Sequence, residues 1–145
     1  MINKIFSIIG FGVIFAIFPI CLFYGGIYTN YFTYYGIREY FNSFFMQNLN
    51  LIFYGIFSLF TGFAFTANGN FLKYLYLIFA LILSLSFIPK VGVKVGEKIF
   101  LKENAKMVIN GETQRIRIIY KDKYKLYYNT KKEPKIIMVP LNANR

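Results

Sequence analysis

The chain has 145 residues, 57% apolar and 21% aromatic, with a formal net charge of +11. An ordinary soluble domain is about 45–50% apolar even with glycine counted, so the composition argues against one. A single cysteine and no histidine exclude an internal disulfide and a Cys/His zinc site.

The charge divides the chain near Pro89. Residues 1–89 carry only Lys4, Arg38, Lys73 and Glu39, whereas residues 90–145 hold fourteen Lys and Arg against five acids. A membrane domain over 1–89 and a basic soluble domain over 90–145 are expected.

Ile5 to Tyr28 is uncharged throughout and meets the roughly 20 apolar residues that a spanning helix needs. A cleaved signal peptide is the alternative, because Lys4 precedes an apolar run. However, the run is long, no A-x-A-like site follows, and bulky Ile20 before Cys21 does not fit a lipoprotein cysteine. Pro19 falls inside this helix, where neighbours must satisfy the carbonyl it frees.

Residues 29–48 are rich in Tyr and Phe. From Ile37 the apolar residues Ile37, Tyr40, Phe41, Phe44 and Phe45 alternate with Glu39, Asn42, Ser43 and Gln47, the pattern of an amphipathic helix. Tyrosines suit the membrane–water boundary. A loop plus a short helix in the interface plane is therefore expected. A fourth span would place Arg38 and Glu39 in hydrocarbon, at about 2.5–3.5 kcal/mol each.

Two further uncharged or nearly uncharged runs, 49–67 and 71–88, complete three spans. The short Asn68-Gly69-Asn70 linker predicts an antiparallel hairpin, and Lys73 is close enough to an end to snorkel. Gly55, Ser58, Gly62 and Thr66 lie on one face of the second run, and Ala80 and Ser84 on the third. Small residues let helices approach closely in lipid. Packing inside the hairpin is expected, with dimerisation as the alternative.

After Pro89, Val91, Val93 and Val95 alternate with Gly92, Lys94 and Gly96, and Arg115 to Tyr120 also alternates. Period 2 predicts strands. Asn110-Gly111 is a hairpin turn signal, Asp122-Lys123 separates two further runs, Thr130 to Pro134 reads as a polar loop, and "KIIMV" can close the sheet. The expected fold is thus membrane α-helical, with three transmembrane helices and an interfacial helix, followed by a small antiparallel all-β domain of four or five strands. Fifty-odd residues give a thin core, so this domain should lean on the membrane or on a partner.

The sequence offers little chemistry. No carboxylate pair, histidine base or phosphate-binding glycine loop is present, and Cys21 lies in an apolar run that disfavours a thiolate. Neither enzyme activity nor a cofactor or metal is expected. Candidate partner or lipid contacts are Arg38, Glu39, Tyr40 and Phe44, and Arg115, Arg117, Lys121, Lys123 and Lys125 on the tail. Anionic lipid headgroups suit the basic residues better than nucleic acid. The expected role is a non-catalytic accessory or immunity-type protein that docks another membrane protein or a second copy of itself. An oligomeric channel or transporter component with a β collar is the alternative. The wealth of Ile, Lys, Asn, Phe and Tyr suits an AT-rich bacterial genome. The positive-inside rule then puts the tail in the cytoplasm and the N-terminus outside the inner membrane.

Overall fold

The computed structural model describes residues 2–109, 112–130 and 135–141. Helix α1 spans Ile2–Ile27 and continues through a π-helical turn, Tyr28–Phe32, into the short α2, Thr33–Tyr35. Together they form one apolar helix of 34 residues, about 51 Å long. Gly36 ends it in the left-handed conformation, φ 62°, which glycine adopts at low cost. The helix therefore overruns the expected end at Tyr28 by two turns.

Pro19 is fully buried within α1. Its missing N–H frees the carbonyl of Phe15, and the Tyr76 hydroxyl donates to that oxygen at 2.9 Å. The helix thus passes through proline with a replacement donor from a neighbouring helix.

Helix α3 (Phe41–Asn48) meets α4 (Leu51–Thr66) at 86°. The Asn50 side chain accepts from Phe53 N–H and caps α4, the ordinary role of asparagine at that position. Helix α5 (Phe71–Ser84) passes through a 3₁₀ turn, Leu85–Phe87, and meets α6 (Pro89–Phe100) at 92°. One helix is long and apolar enough to cross a membrane, or up to three if each bent pair is one span.

Both α4 and α5 pack chiefly on α1 and less on each other, so the hairpin is not the main seam. A side chain at Gly62 would strike the Ile8 carbonyl, and one at Gly12 the Ser58 carbonyl. Small residues on both helices therefore set the α1–α4 contact. Ser58 and Gly62 lie in this seam, and Thr66 back-bonds to the Gly62 carbonyl. Gly55 faces open space. Ala80 is buried on α5, and Ser84 bonds the Leu81 carbonyl of its own helix.

Residues 89–100 are helical, which corrects the strand expected from the Val91-Val93-Val95 alternation. Pro89 suits the first helical position. Gly92 and Gly96 lie one turn apart, against Asn30 and Ser86 and against Tyr31 respectively. Lys90, Lys94 and Lys98 fall four apart on the opposite, exposed stripe. The period of four outweighed the period of two because the glycines permit a close helix contact with Asn30, Tyr31 and Ser86.

The sheet comprises β1 (Lys102–Ile109), β2 (Glu112–Lys121), β3 (Lys125–Thr130) and β4 (Ile137–Pro140), antiparallel in the order β1-β2-β3-β4. The Asn110-Gly111 turn lies outside the described residues, as does the 130–134 loop beyond Thr130. The strands flanking Asn110-Gly111 do pair, with Ile109 opposite Glu112. Asp122 organises the next turn by accepting from Tyr124 N–H at 2.6 Å and Lys125 N–H at 2.5 Å.

Two bulges shape the sheet. Asn104, at φ 58°, occupies the one in β1, between Lys102 and Ala105. In β2 the register moves from Ile118↔Tyr128 to Tyr120↔Tyr127, which inserts one residue. Adjacent Ile119 and Tyr120 are consequently both inside, 0% and 1% exposed, where strict alternation would expose one of them.

Candidate functional site at the helix–sheet junction

Ile27 at the end of α1 and Tyr31 and Phe32 from its extension share one buried cluster with Ile37, Phe44, Ile119, Tyr120 and Tyr127. The rings of Phe32 and Phe44 stand 4.8 Å apart and those of Phe32 and Tyr120 4.9 Å, within the range of favourable aromatic pairs. The aromatic segment over residues 29–48 is therefore the seat of the sheet. The sheet leans on the helices, which supply most of the large side chains that its own short strands lack.

Buried tyrosines need hydrogen-bond partners, and those at the junction have them. Tyr31 donates to the Ile119 carbonyl at 2.6 Å and Tyr28 to the Glu39 carbonyl at 2.5 Å. Tyr35 donates to the Glu97 carboxylate at 2.6 Å, linking α2 to α6. Lys123 N–H donates to Gln47 Oε1 at 3.1 Å, linking β3's preceding turn to α3.

Glu39 is the polar centre of the junction. Its side chain is 4% exposed, and its Oε1 accepts from Lys125 Nζ at 2.7 Å and Tyr127 Oη at 2.8 Å. Tyr127 also lies 3.2 Å from the Arg38 carbonyl. The hydrogen bond to Glu39 holds the Lys125 ammonium above its usual range. Burial, then the same carboxylate, raises the Tyr127 phenol, and burial pushes Tyr120 up to about 12. All three shifts favour the protonated, docked state.

The remaining candidate contacts fall into separate places. Phe44, expected at a partner or lipid contact, is 1% exposed and belongs to the core. Tyr40 is 83% exposed, and Arg38 shares a shallow pocket of about 270 Å³ with Lys125 and Tyr127. Lys121 and Lys123 are exposed, the latter 5.4 Å from the Tyr124 ring centre. Arg115 and Arg117 line an open pocket of about 340 Å³ with Asn104 and Asn129. Arg117 Nε lies 3.6 Å from Glu103.

Residues that sequence reasoning missed include Gly12, Gly92, Gly96, Tyr31 and Tyr127. The Gly92-x-x-x-Gly96 spacing was a legible signal; the tyrosine partners lie 88 residues away in the chain and had none. Among the described residues no group of three or more His, Cys, Asp or Glu could hold a metal ion. No protein-family model matches the chain, and neither the curated proteins nor the solved structures yield a match.

Proposed function

We propose that this is a three-span membrane protein that acts without catalysis, its sheet serving as a fixed platform for another membrane protein. Insertion is supported by the outward surface of the helices. Phe18, Ile52, Ile56, Leu77 and Leu81 are all more than half exposed, a patch that water tolerates poorly. It is also supported by height. From the level of Ile8, where Gly62 packs, to that of Gly26, where Ser86 packs, α1 rises about 27 Å, against a hydrocarbon core of about 30 Å. Both right-angle bends fall at the sheet end of that interval, so α3 and α6 would lie along the interface.

The observation that carries the platform reading is the shared core at Phe32, Phe44 and Tyr120. A tethered sheet would move independently; this one would transmit force and orientation between bilayer and partner. The seam between α1 and α4 is closed by backbone contact at Gly12 and Gly62, so a pore would require several copies, which favours the platform over the channel. Lysines at 90, 94, 98, 102 and 106 would put the sheet on the cytoplasmic side of a bacterial inner membrane, with the N-terminus outside.

Photo-crosslinkers at Lys121 and Lys123, in native membranes, should give one discrete heteromeric adduct, and one at Ile56 only lipid. A monomer in mild detergent, with no adduct from the sheet positions, overturns the platform reading. Release of the chain by alkaline carbonate overturns insertion.

A further inference from the structure

We infer that α6 is a girdle that binds anionic lipid headgroups in the leaflet on the sheet side; this rests on the membrane reading above. Its packing face lies against Ser86 and Asn30 at Gly92 and against Tyr31 at Gly96. Asn30 and Tyr31 are four and five residues beyond Gly26, the level at which the 3₁₀ turn after α5 meets α1, and so about 7 Å further along the axis. The hydrocarbon core is about 30 Å thick and the whole bilayer about 40–45 Å. A level about 7 Å past the end of the hydrocarbon is the layer of the lipid phosphates.

The direction of the side chains follows from helical geometry. At 100° per residue, Lys90, Lys94 and Lys98 project opposite Gly92 and Gly96. Because α6 runs at 92° to α5 and its glycine face is against Ser86, Asn30 and Tyr31, the lysine stripe is on the side turned away from α1. All three lysines are exposed. The sole acid of the helix, Glu97, is turned to α2 and takes the Tyr35 hydroxyl at 2.6 Å, so it does not neutralise the stripe. Immediately before the helix, Phe87 and Ile88 are about half exposed and suit the acyl region below. Aliphatic residues beneath and ammonium groups at phosphate height are what an interfacial helix on an anionic leaflet needs.

The occupant is thus a phospholipid with net negative charge. Each lysine near such a surface adds about fivefold to the attraction of the basic segment for it, and that attraction is screened by salt because the stripe is exposed.

The test uses the full chain reconstituted in phosphatidylcholine bilayers with trace spin-labelled lipids. Electron paramagnetic resonance reads the association of phosphatidylglycerol relative to phosphatidylcholine. A several-fold preference for phosphatidylglycerol is expected, falling towards one in molar salt. The K90Q/K94Q/K98Q variant should lose the preference at low salt, while K106Q, altered at an exposed position on β1, should keep it within twofold. A wild-type ratio near one, or a preference that survives in the triple variant or in high salt, overturns the girdle. If the triple variant misfolds, K90Q, K94Q and K98Q made singly should each lower the preference, and three single variants that all keep the wild-type ratio overturn the girdle. Inserted protein without a preference sinks the girdle alone, whereas protein that alkaline carbonate strips from the bilayer sinks the membrane reading as well.

Discussion

The hydroxyl of Tyr76 donates to the carbonyl of Phe15 at 2.9 Å, the acceptor left empty because Pro19 has no N–H to give it. A helix interrupted by proline in an apolar setting must satisfy that oxygen or leave a costly orphan. Tyr76→Phe should therefore destabilise the protein by about 1–3 kcal/mol. On a Pro19→Ala background the ordinary α-helical bond returns, and the same substitution should cost much less. Thermal unfolding in detergent, followed by tyrosine circular dichroism, gives the four-member cycle. Equal cost on both backgrounds would show that Tyr76 merely fills space.

The α1–α4 seam makes a second, position-specific expectation. A methyl group added at Gly62 meets the Ile8 carbonyl, and one at Gly12 the Ser58 carbonyl. These are backbone atoms and cannot swing aside as a flexible side chain would. Gly62→Val and Gly12→Val should each cost about 1–3 kcal/mol or more through overpacking. Gly55→Val, on the same helix but facing open space, should change stability by well under 1 kcal/mol. The contrast is read from denaturation midpoints in one detergent, and equal effects at Gly55 and Gly62 would refute the seam.

At the junction, Gly96 and the sheet are coupled through one ring. Tyr31 is wedged against Gly96 and anchored by its hydroxyl to the Ile119 carbonyl at 2.6 Å. Gly96→Ala must push the ring and strain that bond. The loss should be about 1–3 kcal/mol, with faster amide hydrogen exchange in β2 as the distinguishing sign. Val93→Ala on the same helix leaves the ring untouched and should leave β2 exchange unchanged. Equal exchange in both variants would mean that α6 does not position the sheet.

Much of this architecture could be read from sequence, with a clear physical boundary to what could not. The three apolar runs, the helix at Phe41–Asn48 and the strands around Asn110-Gly111 rest on local periodicity and turn chemistry, which act over a few residues. The errors lie where tertiary contact decides. Val91 to Val95 alternates like a strand, yet Gly92 and Gly96 let a helix seat against Tyr31. Period 2 and period 4 coexist there, and only the neighbour chooses between them. Phe44 fits the outer face of an amphipathic helix equally well; the arrival of Tyr120 over it is invisible to any local pattern. Arg38-Glu39 reads as an exposed pair, but Glu39 finds its cation 86 residues on, at Lys125.

That last contact makes docking of the sheet sensitive to alkali. Lys125 is held above its usual range by its hydrogen bond to Glu39, and Tyr127 is raised by burial and by the same carboxylate. The unfolded values are about 10.4 and 10. Both folded values are higher, so the folded state retains protons that the unfolded chain has already lost. The stabilisation is complete below about pH 10 and drains away as pH climbs through the folded values. Glu39→Gln removes the charge that both groups feel. It should cost about 1–2 kcal/mol at neutral pH, modest because Lys125 is 36% exposed and solvent screens the pair. It should also flatten the alkaline decline. Tyr127→Phe should remove the tyrosine share of the decline and leave the lysine share. Stability measured at a series of pH values from neutral to alkaline gives each slope, and a wild-type curve flat through the alkaline limb would show that the contact of Glu39 with Lys125 and Tyr127 does not hold the sheet.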